Sequence, residues 1–205
     1  MSAILGIDSN YEPVTRLACD YRNQHLYPQL PQVQKLQGNM ARRSYVVKEL
    51  TSNPIKFITG VGHGSAIAYT GDQGTSVFEI GHYQPNEVNS RIVHFLSCQT
   101  AAQLGPDMVS HGAIAFVGYD VNFVFNLSCA DLFFEADSEV DLALATGETV
   151  SVAVGRAKAR FDTNITLLEN EDVIDTESIA LLEQDRDHLM SPLDHGMFGD
   201  PNATI

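Results

Sequence analysis

The chain has 205 residues, 44% of them hydrophobic and 19% charged, and 26 acidic against 12 basic side chains leave a formal net charge of −14. A chain this long and apolar can bury one substantial core, which excludes disorder as its main theme. Its longest apolar runs, such as 113–117, fall far short of the roughly 20 residues that cross a bilayer. The acidic excess repels phosphate backbones and argues against DNA or RNA as a partner.

Three cysteines, Cys19, Cys98 and Cys129, cannot form a closed disulfide set. The opening Met1-Ser2-Ala3-Ile4-Leu5 has no basic stretch ahead of its short apolar run, unlike a secretion signal. Asn126, Asn164 and Asn202 begin glycosylation-type triplets, which carry little weight without such a signal. The expectation is a single domain over 1–205, cytoplasmic, with free thiols.

In chain order, Ala3–Ile7 is a short apolar run ending at Asp8-Ser9-Asn10, a strand meeting a turn. Pro13 opens a helical pattern with Val14, Leu17, Ala18 and Tyr21 on one face. Asn39 is placed to cap a second helix carrying Ala41, Tyr45 and Leu50. Ile55–Thr59 reads as a buried strand running straight into Gly60-Val61-Gly62-His63-Gly64-Ser65. Residues 66–69 and 76–80 suggest a hairpin around Gly71–Gly74. Ile92–Leu96 is a further strand, leading into Ser97-Cys98-Gln99-Thr100. After a short helical stretch, Ala113–Gly118 is the next strand, ending at Tyr119-Asp120. Beyond it, Val150, Val154, Ala157 and Phe161 repeat at helical spacing, and Ile179, Leu182 and Leu189 do so less regularly. Apolar runs alternating with amphipathic helices predict an α/β/α sandwich with a mostly parallel central sheet. Ligands of such sheets bind at the carboxyl ends of the strands, which is where the Gly-His-Gly turn, the Ser-Cys turn and Tyr119-Asp120 all fall.

A thiol needs a nearby base to populate its thiolate near neutral pH, and histidine is the usual supplier. Neighbouring strands lie about 4.8 Å apart, so side chains at adjacent strand ends can meet. His63 and Cys98 are therefore the candidate base and nucleophile, with the backbone N–H groups of Gly64 and Cys98 as candidate oxyanion donors.

Residues 57–65, Phe-Ile-Thr-Gly-Val-Gly-His-Gly-Ser, resemble the strand-then-His-Gly signature of the caspase-fold (clan CD) cysteine peptidases. Residues 92–100, Ile-Val-His-Phe-Leu-Ser-Cys-Gln-Thr, resemble the family's second signature, a strand ending in a small residue and the nucleophile. The pair is most similar to gingipain-type and CHAT-type domains. Residues 112–119 resemble the strand after the nucleophile, and Phe198-Gly199-Asp200-Pro201 resembles the Gly-Asp-Pro that closes many gingipain-like domains. The resemblance implies a caspase-like fold and a thiol protease, an endopeptidase acting on protein substrates through a thioester, with His63 as base and acid, Cys98 as nucleophile, Gly64 as oxyanion contributor and no metal. Many members carry an acidic residue two positions before the nucleophile, where it helps bind a basic side chain; Leu96 stands there. Asp120, just beyond the neighbouring strand, is the substitute candidate for substrate binding. The resemblance further suggests activation by cleavage, calcium, a partner protein or self-association, with Asp120–Asp141 as a movable lid.

The competing readings rest on the same residues. Cys98 could be a buried structural thiol, and the chain a caspase-fold interaction or signalling module without activity. Cys19 and Cys129 fit packing positions. His111-Gly112 suits a helix end, His195 follows a loop, His94 lies inside a strand, and His82 and His188 suit the surface. Gly60-x-Gly62-x-Gly64 resembles a dinucleotide loop, but no helix follows it directly. Ser65 lacks the flanking glycines of a hydrolase elbow. The acidic run Glu169–Glu177 fits no twelve-residue calcium loop. No cofactor is expected.

Overall fold

In the computed structural model, residues 4–170 and 175–205 are described. Five parallel strands and one short antiparallel strand make the central sheet: β1 (Ile4–Asp8), β2 (Val33–Gln37), β3 (Phe57–Val61), β7 (Ile92–Leu96), β8 (Ala115–Tyr119) and β9 (Leu189–Met190), in the order β2-β1-β3-β7-β8-β9. Strands β4 (Gly64–Ser65), β5 (Ala68–Thr70) and β6 (Ser76–Glu79) form a small antiparallel sheet. The helices are α1 (Pro13–Tyr21), α2 (Arg43–Ser52), α3 (Leu104–Ser110), α4 (Ala130–Ala145), α5 (Val150–Glu169) and α6 (Thr176–Asp187). The fold is the expected α/β/α sandwich with a mostly parallel sheet.

The pleat sorts the side chains into two cores. On one face, Ile4, Phe57, Val61, Ile92, Leu96 and Val117 pack with residues of α1, α4 and α5. On the other, Leu5, Ile7, Ile58, Val93, Phe95 and Phe116 pack under α2, α3 and the small sheet. Tyr69 of β5 stacks on Phe95 at 4.0 Å between ring centroids and donates its hydroxyl to the Ile7 carbonyl at 2.6 Å, pinning the small sheet to the large one.

Local chemistry explains the elements. Pro13 occupies the first turn of α1, and the Glu12 side chain caps it by accepting from the Thr15 N–H at 3.2 Å. Thr149 and Asp175 cap α5 and α6 in the same way. The last residues return to the sheet: the Asp200 N–H donates to the Ile114 carbonyl at 2.8 Å and Gly199 bridges Ala115. Gly199 has φ 98°, a left-handed conformation that favours glycine.

Several expectations shift. Helix α2 starts at Arg43, with Arg42 at its cap position; Asn39 lies in a 3-10 turn, because Asp72 and Arg42 tie that corner down by an ion pair at 2.6 Å. The strand expected over 55–59 runs from Phe57 to Val61, so Gly60 and Val61 belong to the sheet. Edge strand β2 was not foreseen; its polar Gln34, Lys35 and Gln37 hide the signal. Leu189 belongs to β9 rather than to α6. The stretch expected as a lid is mostly ordered structure, since α4 begins at Ala130 and runs past Asp141. Only Asp175 and Glu177, together with Glu169, stand among the described residues of the acidic run; Glu171 and Asp172 lie outside them.

Candidate active site

The β3–β7 register pairs Val61 with Leu96, so the two strand ends lie level. The chain continues as Gly62-His63 from β3 and Ser97-Cys98 from β7, and His63 and Cys98 line one pocket. A Cβ added at Gly64 would lie 2.5 Å from the Cys98 carbonyl oxygen and 2.3 Å from Ser97 Oγ, so only glycine lets these two turns come this close. Gly64→Ala is expected to push the turns apart and slow alkylation of Cys98 by about tenfold or more, read by intact mass against time. Gln99, directly after Cys98, has φ 59° and is held by Gln99 N–H to Val121 O at 2.8 Å and Gln99 Nε2 to Asn122 Oδ1 at 3.0 Å. A non-glycine residue in that region is strained and persists because its surroundings fix it.

His63 Nε2 lies 2.9 Å from Glu12 Oε1, the same oxygen that accepts the Thr15 N–H. The cap of α1 is thus also the partner of the histidine. Sequence reasoning missed Glu12: its place before Pro13 signals a cap, but nothing local signals a contact with a residue on β3's end. Cys98 Sγ donates weakly to the Phe123 carbonyl at 3.8 Å, and burial pushes the thiol up from its ordinary value.

The pocket has a volume of about 360 Å³, its open mouth included. Helix α1 contributes Val14, Thr15 and Ala18, and the strand ends contribute Val61 and Leu96. Phe123 and Phe125, from the loop after β8, and Phe134 of α4 complete the wall. Asp120 is not part of this lining. Its Oδ1 meets His188 Nδ1 at 2.9 Å, a pairing with the residue after α6 that takes up the carboxylate expected to bind substrate. His111 likewise follows α3 and pairs with Asp107, and His82 is exposed. Cys19 is buried, and Cys129 contacts Ser178 Oγ at 3.3 Å.

One pleat below Val61 and Leu96, Thr59 and His94 begin a buried polar belt. Arg22, turned inward by the π-helical turn that follows α1, places Nε 3.1 Å from Asp8 Oδ1 and Nη1 3.1 Å from Asp141 Oδ2. It also donates to Thr59 Oγ1 at 2.8 Å and to the Tyr27 hydroxyl. His94 stands between Asp141 and Asp137, 3.3 Å from each, and Tyr119 donates to Asp137 at 2.9 Å. Among the described residues, His94, Asp137 and Asp141 are the one group whose spacing suits a metal ion. Both imidazole nitrogens already face carboxylates and Arg22 pairs with Asp141, so the group is already an ion network.

Burial alone would lower His94, but Asp137 and Asp141 outweigh it and push the imidazole up to about 9. Asp185 of α6, fully buried, is pushed up to about 8 chiefly by burial. The folded chain therefore holds two protons that an unfolded chain releases, His94's between its ordinary 6.5 and about 9, and Asp185's between 3.8 and about 8. Both terms are full at the acid end of these windows and fade as pH rises. The melting temperature should fall from pH 6 to pH 9, and Asp185→Asn should flatten the part below pH 8; a melting temperature rising over that range would contradict both protonation states.

This architecture, a mostly parallel sheet between helical layers, is a caspase-like fold. The chain is similar to the crystal structure of gingipain R, an Arg-specific cysteine proteinase, with a TM-score of 0.62 and 13% identity over 98% of this chain and 47% of that one. It is also similar to the complex of the pro- and mature domains of Porphyromonas gingivalis RgpB, with a TM-score of 0.60 and 14% identity over 98% of this chain and 48% of that one. The chain thus spans about half the length of these structures. No family model and no curated protein matches it by sequence.

Proposed function

We propose that the protein is a cysteine endopeptidase that cleaves protein or peptide substrates with Cys98 as nucleophile and His63 as base and acid. The observation that carries this reading is that Cys98 and His63, the latter paired with Glu12, line one pocket at the carboxyl ends of β3 and β7. With Nε2 on Glu12, Nδ1 is the nitrogen left to exchange a proton with Cys98. The thiol proton moves to His63 and the thiolate attacks the substrate carbonyl carbon. Its oxygen takes the negative charge beside the backbone of Gly64 and Cys98. The imidazolium then protonates the departing amine as the C–N bond breaks. Water, deprotonated by His63, attacks the thioester, and the proton returns to the sulfur as the acid leaves. Glu12 orients the ring and stabilises the imidazolium, as the third member does in other nucleophile–base pairs.

The caspase-like fold supports a peptidase. Incubation with a diverse peptide mixture should yield new termini by mass spectrometry, and prior alkylation of Cys98 should remove them. Intact peptides together with a Cys98 inert to electrophiles would favour the non-catalytic module instead. Glu12→Gln should lower kcat by roughly 10–100-fold, leave KM near its original value and shift the acid limb of the pH–rate profile, because the amide keeps the cap but not the charge. An unchanged profile would return Glu12 to a capping role alone.

A further inference from the structure

Resting on the peptidase reading, we infer that the pocket beside Cys98 selects substrates with an apolar residue, of the leucine or methionine class, on the acyl side of the cleaved bond.

The pocket is the concavity that Cys98 and His63 share, so a side chain one atom from the attacked carbonyl has this space to enter. Its walls are mostly apolar, with Val14 and Ala18 from α1, Val61 and Leu96 from the strand ends and the rings of Phe123, Phe125 and Phe134, while Thr15, Ser97, His63 and Cys98 are its polar members. Phe125 and Phe134 meet edge to face at 4.8 Å, which fixes the far wall. Aromatic edges suit a thioether or a branched aliphatic chain. Apart from His63, no ionisable side chain but that of Cys98 is among the lining residues. Each nearby carboxylate is otherwise engaged or withdrawn. Glu12 faces His63, and Asp120 faces His188. Asp185 is fully buried, outside the lining, and holds its proton to about pH 8. A guanidinium or ammonium in this pocket would be stripped of water with no counter-charge, whereas an apolar chain gains from leaving water. The inference departs from the Arg specificity of gingipain R, and it follows from what stands around this chain's own cysteine.

Two readouts test it separately from catalysis. The first is labelling of Cys98 in the wild-type chain by matched peptidyl ketone electrophiles ending in Leu, Met, Arg, Lys or Asp, followed by intact mass. The second is thermal stabilisation of Cys98→Ala by the corresponding uncleaved peptides, which needs no thiol. Leu and Met reagents should label at least tenfold faster than Arg or Lys, and the same ranking should appear in the stabilisation of Cys98→Ala. Val14→Phe, at a lining residue that is 44% exposed, should narrow the pocket mouth and reduce the Met and Leu signals while melting near the wild-type temperature. Stabilisation by apolar peptides without labelling or cleavage would uphold the pocket and overturn the peptidase. A preference for Arg or Lys, above all one abolished by Asp185→Asn, would overturn the pocket inference and leave the peptidase standing. Equal response to all side chains in both readouts would overturn it as well.

Discussion

Cys98→Ala is expected to lower peptide cleavage by about 10⁴-fold or more while the chain still folds and melts within a few degrees of the wild type. The loss follows from removing the atom that would form the thioester in the proposed mechanism. Cys19 is buried and pushed up to about 12 by that burial and by Asp8, far from a usable thiolate. The fold should tolerate the change because Sγ makes a single weak hydrogen bond, at 3.8 Å, and half-lines an open pocket rather than filling the core. His63→Ala should cost nearly as much, and the double variant little more than either, since base and nucleophile act as one unit. Cleavage that survives Cys98→Ala, measured by the same peptide digestion, would remove Cys98 from the chemistry. Global unfolding of that variant would assign the cysteine a structural role instead.

The largest effect on stability should come from Arg22→Met. Arg22 is 1% exposed and holds Asp8 and Asp141, each fully buried, at 3.1 Å. Its own charge survives burial because the Tyr27 hydroxyl, Asp8 and Asp141 surround it and outweigh desolvation. Methionine matches the stem but leaves those carboxylates without their cation, and breaking one side of a buried ion network costs about 3–5 kcal/mol. For a chain of this size that corresponds to a fall of roughly 10 °C or more in melting temperature. Removing both sides should be milder: Arg22→Met combined with Asp141→Asn should recover part of the loss, because one stranded charge goes with the cation. An Arg22→Met chain that melts with the wild type would show that the belt contributes no net stability.

Much of this was legible in the sequence. The strands β1, β7 and β8 announce themselves as short apolar runs, since parallel strands covered on both faces have no polar side to display. The positions of His63 and Cys98 were legible for the same reason: each stands where such a run stops and a polar turn begins. That they line one pocket required only that β3 and β7 be neighbours. Glu12, the pairing of Asp120 with His188, and the inward turn of Arg22 were not legible. Each depends on a contact between segments far apart in the chain, and in local sequence each looks like an ordinary surface residue. Arg22 is the sharpest case, because an arginine at the end of an amphipathic helix reads as solvent-facing until the π-helical turn rotates it beneath the sheet. The polar β2 failed for a related reason, as an edge strand lacks the continuous apolar run of its inner neighbours.

The pairing of Val61 with Leu96 has a consequence for how the site comes into being. Residues on β7 alternate between two cores, so a slip of one residue against β3 would bring Val93 and Phe95 to the belt face and send His94 and Leu96 to the other. The charged histidine would then lie among α2 and α3 with neither aspartate near it, a misfold carrying an unpaired buried charge. His94 thus acts as a proofreading mark for strand alignment. A nascent chain can satisfy its deepest ions only in the alignment that also sets Cys98 level with His63, so a well-packed but misaligned assembly is penalised by the charge it strands.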